Sequence, residues 1–153
     1  MKVSEILDEK SINIGLSVDS KEELIEQLIF LTEKQGKILD RDEVKKEVFE
    51  REKIMSTGVG KGIALPHAKT NAISDVCGAI AILKEPIDYD SLDKEPVQIA
   101  FLLLGLDSNV GLHLRLLSKI SRLMNSDSFR SQLLEQKTPK DIIELIKKYE
   151  EKD

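Results

Sequence analysis

Cysteine occurs once among the 153 residues, at Cys77, so no internal disulfide can form and no thiolate cluster can hold a metal. That scarcity points to a reducing compartment. No apolar run approaches the roughly 18 to 20 residues that span a bilayer, and the opening MKVSEILDEK lacks the apolar stretch of a secretory signal. The expectation is a cytoplasmic protein without membrane insertion. Basic residues are in deficit, 23 against 28 acidic, for a net charge of −5. A chain of that balance lacks the cationic surface needed for sequence-independent binding to nucleic acid or for polybasic attachment to a membrane. Histidine is scarce too: only His67 and His113 can supply imidazole chemistry.

What is present fits one domain over 1–153, without repeats, low-complexity blocks or a linker rich in Gly, Pro or Ser. Ser20-Lys21-Glu22-Glu23 has the form of a capping box, and Leu24, Ile25, Leu28, Ile29 and Leu31 follow at helical spacing up to Gly36. A second helix starts near Asp40, carries Val44, Val48 and Phe49 on one face, and runs out between Arg51 and Ile54. Met55 to Thr70 has no clean period and reads as loop, with a short extended piece at Gly62 to Leu65.

Two nearly continuous apolar runs, Cys77 to Leu83 and Val97 to Leu104, suit strands covered on both faces. A further strand is possible at Ile12 to Ile14. After Gly105 the helical period returns, broken around Asn125 to Asp127. Thr138-Pro139-Lys140-Asp141 then starts a last helix packed down by Ile142, Ile143, Leu145, Ile146 and Tyr149, and Glu150 to Asp153 reads as a solvated tail. These alternations predict an α/β fold: a single domain with a central mixed sheet flanked by helices on both faces, in three layers.

Several motifs fail on inspection. Gly58-Val59-Gly60-Lys61-Gly62 looks superficially like a phosphate-binding loop, but Lys61 is followed by Gly62 where Ser or Thr is needed. A dinucleotide fingerprint fails because its sixth position is Ile63 and Pro66 interrupts the required helix. Zinc ligation by His67, His113 and Cys77 has no customary spacing, and Cys77 opens an apolar strand where a free thiol is normally packing. Asp88, Asp90 and Asp93 lie in an expected turn, where such residues are common.

The string from Arg51-Glu52 through Ser56-Thr57-Gly58 to Val59-Gly60-Lys61-Gly62-Ile63-Ala64-Leu65-Pro66-His67-Ala68 is more specific. It resembles the phosphorylation-site motif of the type-2 enzyme IIA domains of the bacterial phosphoenolpyruvate-dependent phosphotransferase system, the fructose, mannitol and nitrogen-regulatory family. The pattern runs from an acidic or amide residue, here Glu52, through six positions to Val59-Gly60, and ends in alanine, an apolar residue, proline, histidine and a small residue. The segments PIDYDSLDKEPV and HLRLLSKISRLM extend the likeness over essentially the whole chain.

The resemblance implies a phosphotransferase in which His67 accepts a phosphoryl group from a small histidine-containing phosphocarrier protein. Neutral imidazole is a competent nucleophile near neutral pH. Arg51 is the candidate phosphate clamp, since guanidinium donors match phosphate oxygens; without the motif it would be an ordinary cation at a helix end. His113 corresponds to the family's second active-site histidine. Gly58, Gly60 and Gly62 would let backbone N–H groups approach the phosphate, and Ser56 and Thr57 could donate to it, although turns use the same residues. No cofactor or metal is implied.

Two functions share this chemistry: a transport phosphocarrier delivering to a IIB component of a sugar permease, and a nitrogen-regulatory protein whose phosphorylation state controls binding to regulatory targets. PIDYDSLDKEPV and HLRLLSKISRLM look closer to the fructose type. A degenerate binding module is disfavoured because His67, His113 and Arg51 all remain.

Overall fold

The protein is described over residues 1–152 by a computed structural model. Two short 3-10 turns, Val3–Ile6 and Glu9–Ser11, lead into strand β1 (Ile12–Leu16). Helices α1 (Lys21–Glu33) and α2 (Arg41–Ile54) follow, then three short strands, β2 (Gly58–Gly60), β3 (Ile63–Ala64) and β4 (His67–Thr70). The long strands β5 (Cys77–Ile87) and β6 (Val97–Leu106) precede helices α3 (Val110–Met124), α4 (Asp127–Glu135) and α5 (Pro139–Glu150). The capping residues are those the sequence suggests: Ser20, Asp40 and Thr138 each accept the backbone N–H three residues on. One detail differs at α1, where the Glu23 carboxylate returns to the N–H of Asp19 rather than to that of Ser20.

The sheet is mixed. β1 pairs parallel with β5, β5 antiparallel with β6, and the far edge of β6 is shared by β3 and β4, both parallel to it. Successive β6 residues face opposite layers. Ala100, Leu102 and Leu104 pack with Leu24, Leu28, Val44 and Val48 of α1 and α2. Ile99, Phe101 and Leu103 pack with Leu116, Ile120, Phe129 and Ile146 of α3 to α5. A strand buried on both faces reads as a continuous apolar run, which is why periodicity finds β5 and β6 so readily.

The region Met55 to Thr70, expected to be loop with one extended piece at Gly62 to Leu65, contributes three strands to the sheet: β3 lies within that piece, while β2 and β4 replace expected loop. Gly60 opposes Ile63 across a two-residue turn in which Lys61 and Gly62 have φ of 59° and 78°, the left-handed pair of a type I′ hairpin. Beyond it, β3 and β4 run along β6 as one edge interrupted at Leu65-Pro66. His67-Ala68-Lys69-Thr70 has no strand-like apolar pattern, so only its pairing with Leu103 to Leu106 makes it a strand.

The chain's end also differs from a solvated tail. Glu150 is part of α5, and its carboxylate accepts the N–H groups of Val3 at 2.6 Å and Ser4 at 3.1 Å. Asp153 lies outside the described residues.

β5 leaves no room for a side chain at Gly78, where a Cβ would lie 2.5 Å from the Leu102 carbonyl oxygen of β6. Gly78→Ala should therefore spread the central pair and lower unfolding free energy by about 1 to 3 kcal/mol, measured by urea titration.

Candidate active site

α2 ends, β4 begins and α3 begins around one cleft of about 420 Å³, lined among others by Arg51, His67, Lys69 and His113. Three of the sequence-nominated residues, Arg51, His67 and His113, thus come together from elements distant in the chain.

His67 opens β4 and is partly buried. Its Nδ1 lies 2.8 Å from the Leu65 carbonyl oxygen. A carbonyl can only accept, so in the neutral ring Nδ1 carries the proton and Nε2 keeps the lone pair. Burial first, then the charges of Arg51 and Lys69, hold His67 below its ordinary value of 6.5, while the Leu65 bond and the Glu52 charge pull the other way. The lowering effects win, so the ring is predominantly neutral at pH 7.

His113 sits in the first turns of α3, 3% exposed, its ring centroid 5.8 Å from that of His67 and tilted by 43°. Burial, followed by His67 and Lys69, brings its pKa down to about 4. Its Nδ1 is buried with no hydrogen-bond partner among the described residues. The ring fits only because β6 has no side chain opposite it: a Cβ on Gly105 would stand 2.2 Å from His113 Nδ1.

Arg51, in the last turn of α2, donates from Nη1 to the Met55 carbonyl at 3.1 Å. That bond caps the helix end and leaves the other guanidinium donors for an anion in the cleft. Lys69 adds a second cation and was missed in the sequence reading. Its signal was the alternation His67, Lys69 on one face of a strand, invisible while the segment read as loop. Glu47, one helical turn before Arg51, also lines the cleft, and burial pushes its carboxyl up.

Ser56, Thr57, Gly58, Gly60 and Gly62 do not line this cleft. The Ser56 hydroxyl accepts from Gly58 N–H, and the Thr57 N–H and hydroxyl are both taken by Glu52. Gly58 packs against Ser91, where a Cβ would meet Oγ at 2.4 Å. Gly60 precedes the hairpin turn and faces Asp93, and Gly62 is the second residue of that turn. The glycines serve a close approach and a turn.

Residues 5–149 match the family described as phosphoenolpyruvate-dependent sugar phosphotransferase system, EIIA 2. The chain is 36% identical over 127 residues to the fructose-specific EIIA component of Haloferax volcanii, covering 83% of this chain and 82% of that protein. It is 34% identical over 150 residues to the fructose-specific EIIABC component of Bacillus subtilis, a match that takes in 98% of this chain but 24% of the longer protein. The crystal structure of nitrogen regulatory protein IIA-Ntr from Neisseria meningitidis superposes with a TM-score of 0.88 at 30% identity, covering 94% of this chain and 98% of that one. The family match over nearly the whole length, the fructose-type relatives and the shared three-layer architecture agree: this chain belongs to the EIIA type-2 family of the phosphoenolpyruvate-dependent sugar phosphotransferase system.

Proposed function

We propose that His67 is the phosphoryl acceptor, taking the group from the histidine-containing phosphocarrier protein and passing it to a IIB component of a fructose-type sugar permease. The observation that carries this reading is the Nδ1 contact of His67 with the Leu65 carbonyl, which leaves Nε2 as the nucleophile in a cleft that also holds Arg51. The Nε2 lone pair forms the new N–P bond as the bond from phosphorus to the carrier's imidazole breaks. Delivery to IIB reverses the polarity, with His67 as leaving group. Both steps need in-line placement and stabilised equatorial oxygens more than covalent help from the protein. Arg51 supplies a planar, bidentate donor set for those oxygens. His113, neutral and packed 5.8 Å away, braces the His67 ring and holds the second imidazole close to the incoming group.

A second reading, regulation through the phosphorylation state of the same histidine, draws on the likeness to the nitrogen regulatory IIA-Ntr protein. The two differ in the receiver. Transfer of label from the phosphorylated protein to a fructose-type IIB protein supports transport, whereas target binding that changes with His67 phosphorylation, without such transfer, supports regulation.

Incubation with phosphoenolpyruvate, enzyme I and the carrier protein should place one acid-labile phosphate on the wild type and none on His67→Ala; label persisting on that variant would refute the assignment. Arg51→Lys keeps the charge and loses the fork, and should slow transfer roughly tenfold in rapid-quench measurements. Gly105→Ala displaces the His113 ring and should reproduce the transfer defect of His113→Ala while His67 itself is intact. Because neutral His67 is the reactive form and its pKa lies below 6.5, the rate should rise with pH through a midpoint below 6.5 and be level above it. A midpoint above 6.5 in the pH profile would contradict the burial of His67.

A further inference from the structure

Glu52, at the end of α2, is 7% exposed and faces four donors. Its Oε2 accepts the Thr57 N–H at 2.7 Å and pairs with Lys21 Nζ at 2.9 Å. Its Oε1 accepts the Thr57 hydroxyl at 2.5 Å and the Tyr89 hydroxyl at 3.3 Å. Burial, and after it the Glu52 charge, keeps the Tyr89 phenol protonated far above its ordinary range, consistent with a donor. Lys21 also lies 4.7 Å over the Tyr89 ring. An ionised carboxylate is acceptor-only and meets all four donors, whereas an amide would set its own N–H groups against some of them. Pairing with Lys21 and saturation of both oxygens offset the cost of burying the charge.

This arrangement continues beyond Thr57. The Thr57 carbonyl accepts the Leu65 N–H at 2.9 Å, and the Leu65 carbonyl is the group that holds His67 Nδ1 at 2.8 Å. Each link fixes the residue that makes the next. We infer that Glu52 is a positioning residue for His67: through Thr57 and Leu65 it holds the carbonyl that keeps the proton on Nδ1 and leaves Nε2 as the nucleophile. The inference rests on the reading of His67 as phosphoryl acceptor and adds to it a remote carboxylate that selects the tautomer. Lys21 and Tyr89, far from the cleft in sequence, belong to the same device because they hold the Glu52 carboxylate in place.

The test is ¹⁵N NMR of the imidazole nitrogens in the unphosphorylated protein, paired with rapid-quench phosphotransfer from the carrier protein. Wild-type His67 should be the Nδ1–H tautomer. Glu52→Gln should move it toward a mixture with Nε2–H, lower the His67 titration midpoint as the nearby negative charge is lost, and slow transfer about tenfold per folded molecule. Thr57→Val should shift tautomer and rate in the same direction, and Thr57→Ser should restore both. An Nε2–H wild type would overturn the inference. So would a Glu52→Gln protein with a lower melting temperature but unchanged tautomer and rate. Should Glu52→Gln fail to fold, unchanged behaviour of Thr57→Val overturns it alone. The two readings fail separately: absence of label on wild type counts against phosphotransfer, and the tautomer measurement needs no phosphate.

Discussion

The arrangement depends above all on how residues 62–70 pair with β6. This edge begins with Ile63 opposite Ile99, breaks at Leu65-Pro66, and resumes with His67 opposite Leu103. Proline cannot donate to the ladder, yet its carbonyl can accept, and Leu103 N–H reaches Pro66 at 3.1 Å. The edge therefore stays attached across the proline. Gly62 and Pro66 turn their carbonyls to β6, so the Leu65 carbonyl between them faces away from it and is left to the imidazole two residues on.

Around this edge the protein sets local charge against its overall charge. The chain carries −5, yet Arg51 and Lys69 both line the His67 cleft. Burial first, then the Lys69 charge on both imidazoles and the Arg51 charge on His67, keep both rings neutral. A dianionic phosphoryl group would reverse that balance, since a nearby negative charge favours the protonated form of an imidazole. On the proposed reading, the neutral imidazoles suit transfer to His67 and the two cations suit the phosphorylated product.

The architecture was legible where one physical signal dominated. Ser20, Asp40 and Thr138 announce helix starts because cap chemistry is local, and the apolar runs of β5 and β6 announce burial on both faces. β3 falls within the extended piece read at Gly62 to Leu65, whereas β2 and β4 were hidden: β2 has the composition of a turn, and β4 finds its partner in β6 about thirty-five residues further along. The site was legible in part for the same reason. Arg51, His67 and His113 stand out by type and motif, and the structure gathers them. Thr57 and the three glycines stand out equally but answer to Glu52, Ser91 and a hairpin. Glu52 entered the sequence reading only as the first letter of a pattern, since nothing in its neighbours along the chain reveals four donors converging on it.

The contact between Gly105 and His113 joins two positions into one unit of variation. The strand yields the volume of a side chain and the helix fills it with an imidazole, so Gly105 cannot gain a side chain while the ring keeps its place. Among related chains, a side chain at the position of Gly105 should occur together with loss of the ring at the position of His113. Read in that way, a glycine that attracts no attention as a chemical group reports whether its chain still keeps two histidines at the cleft.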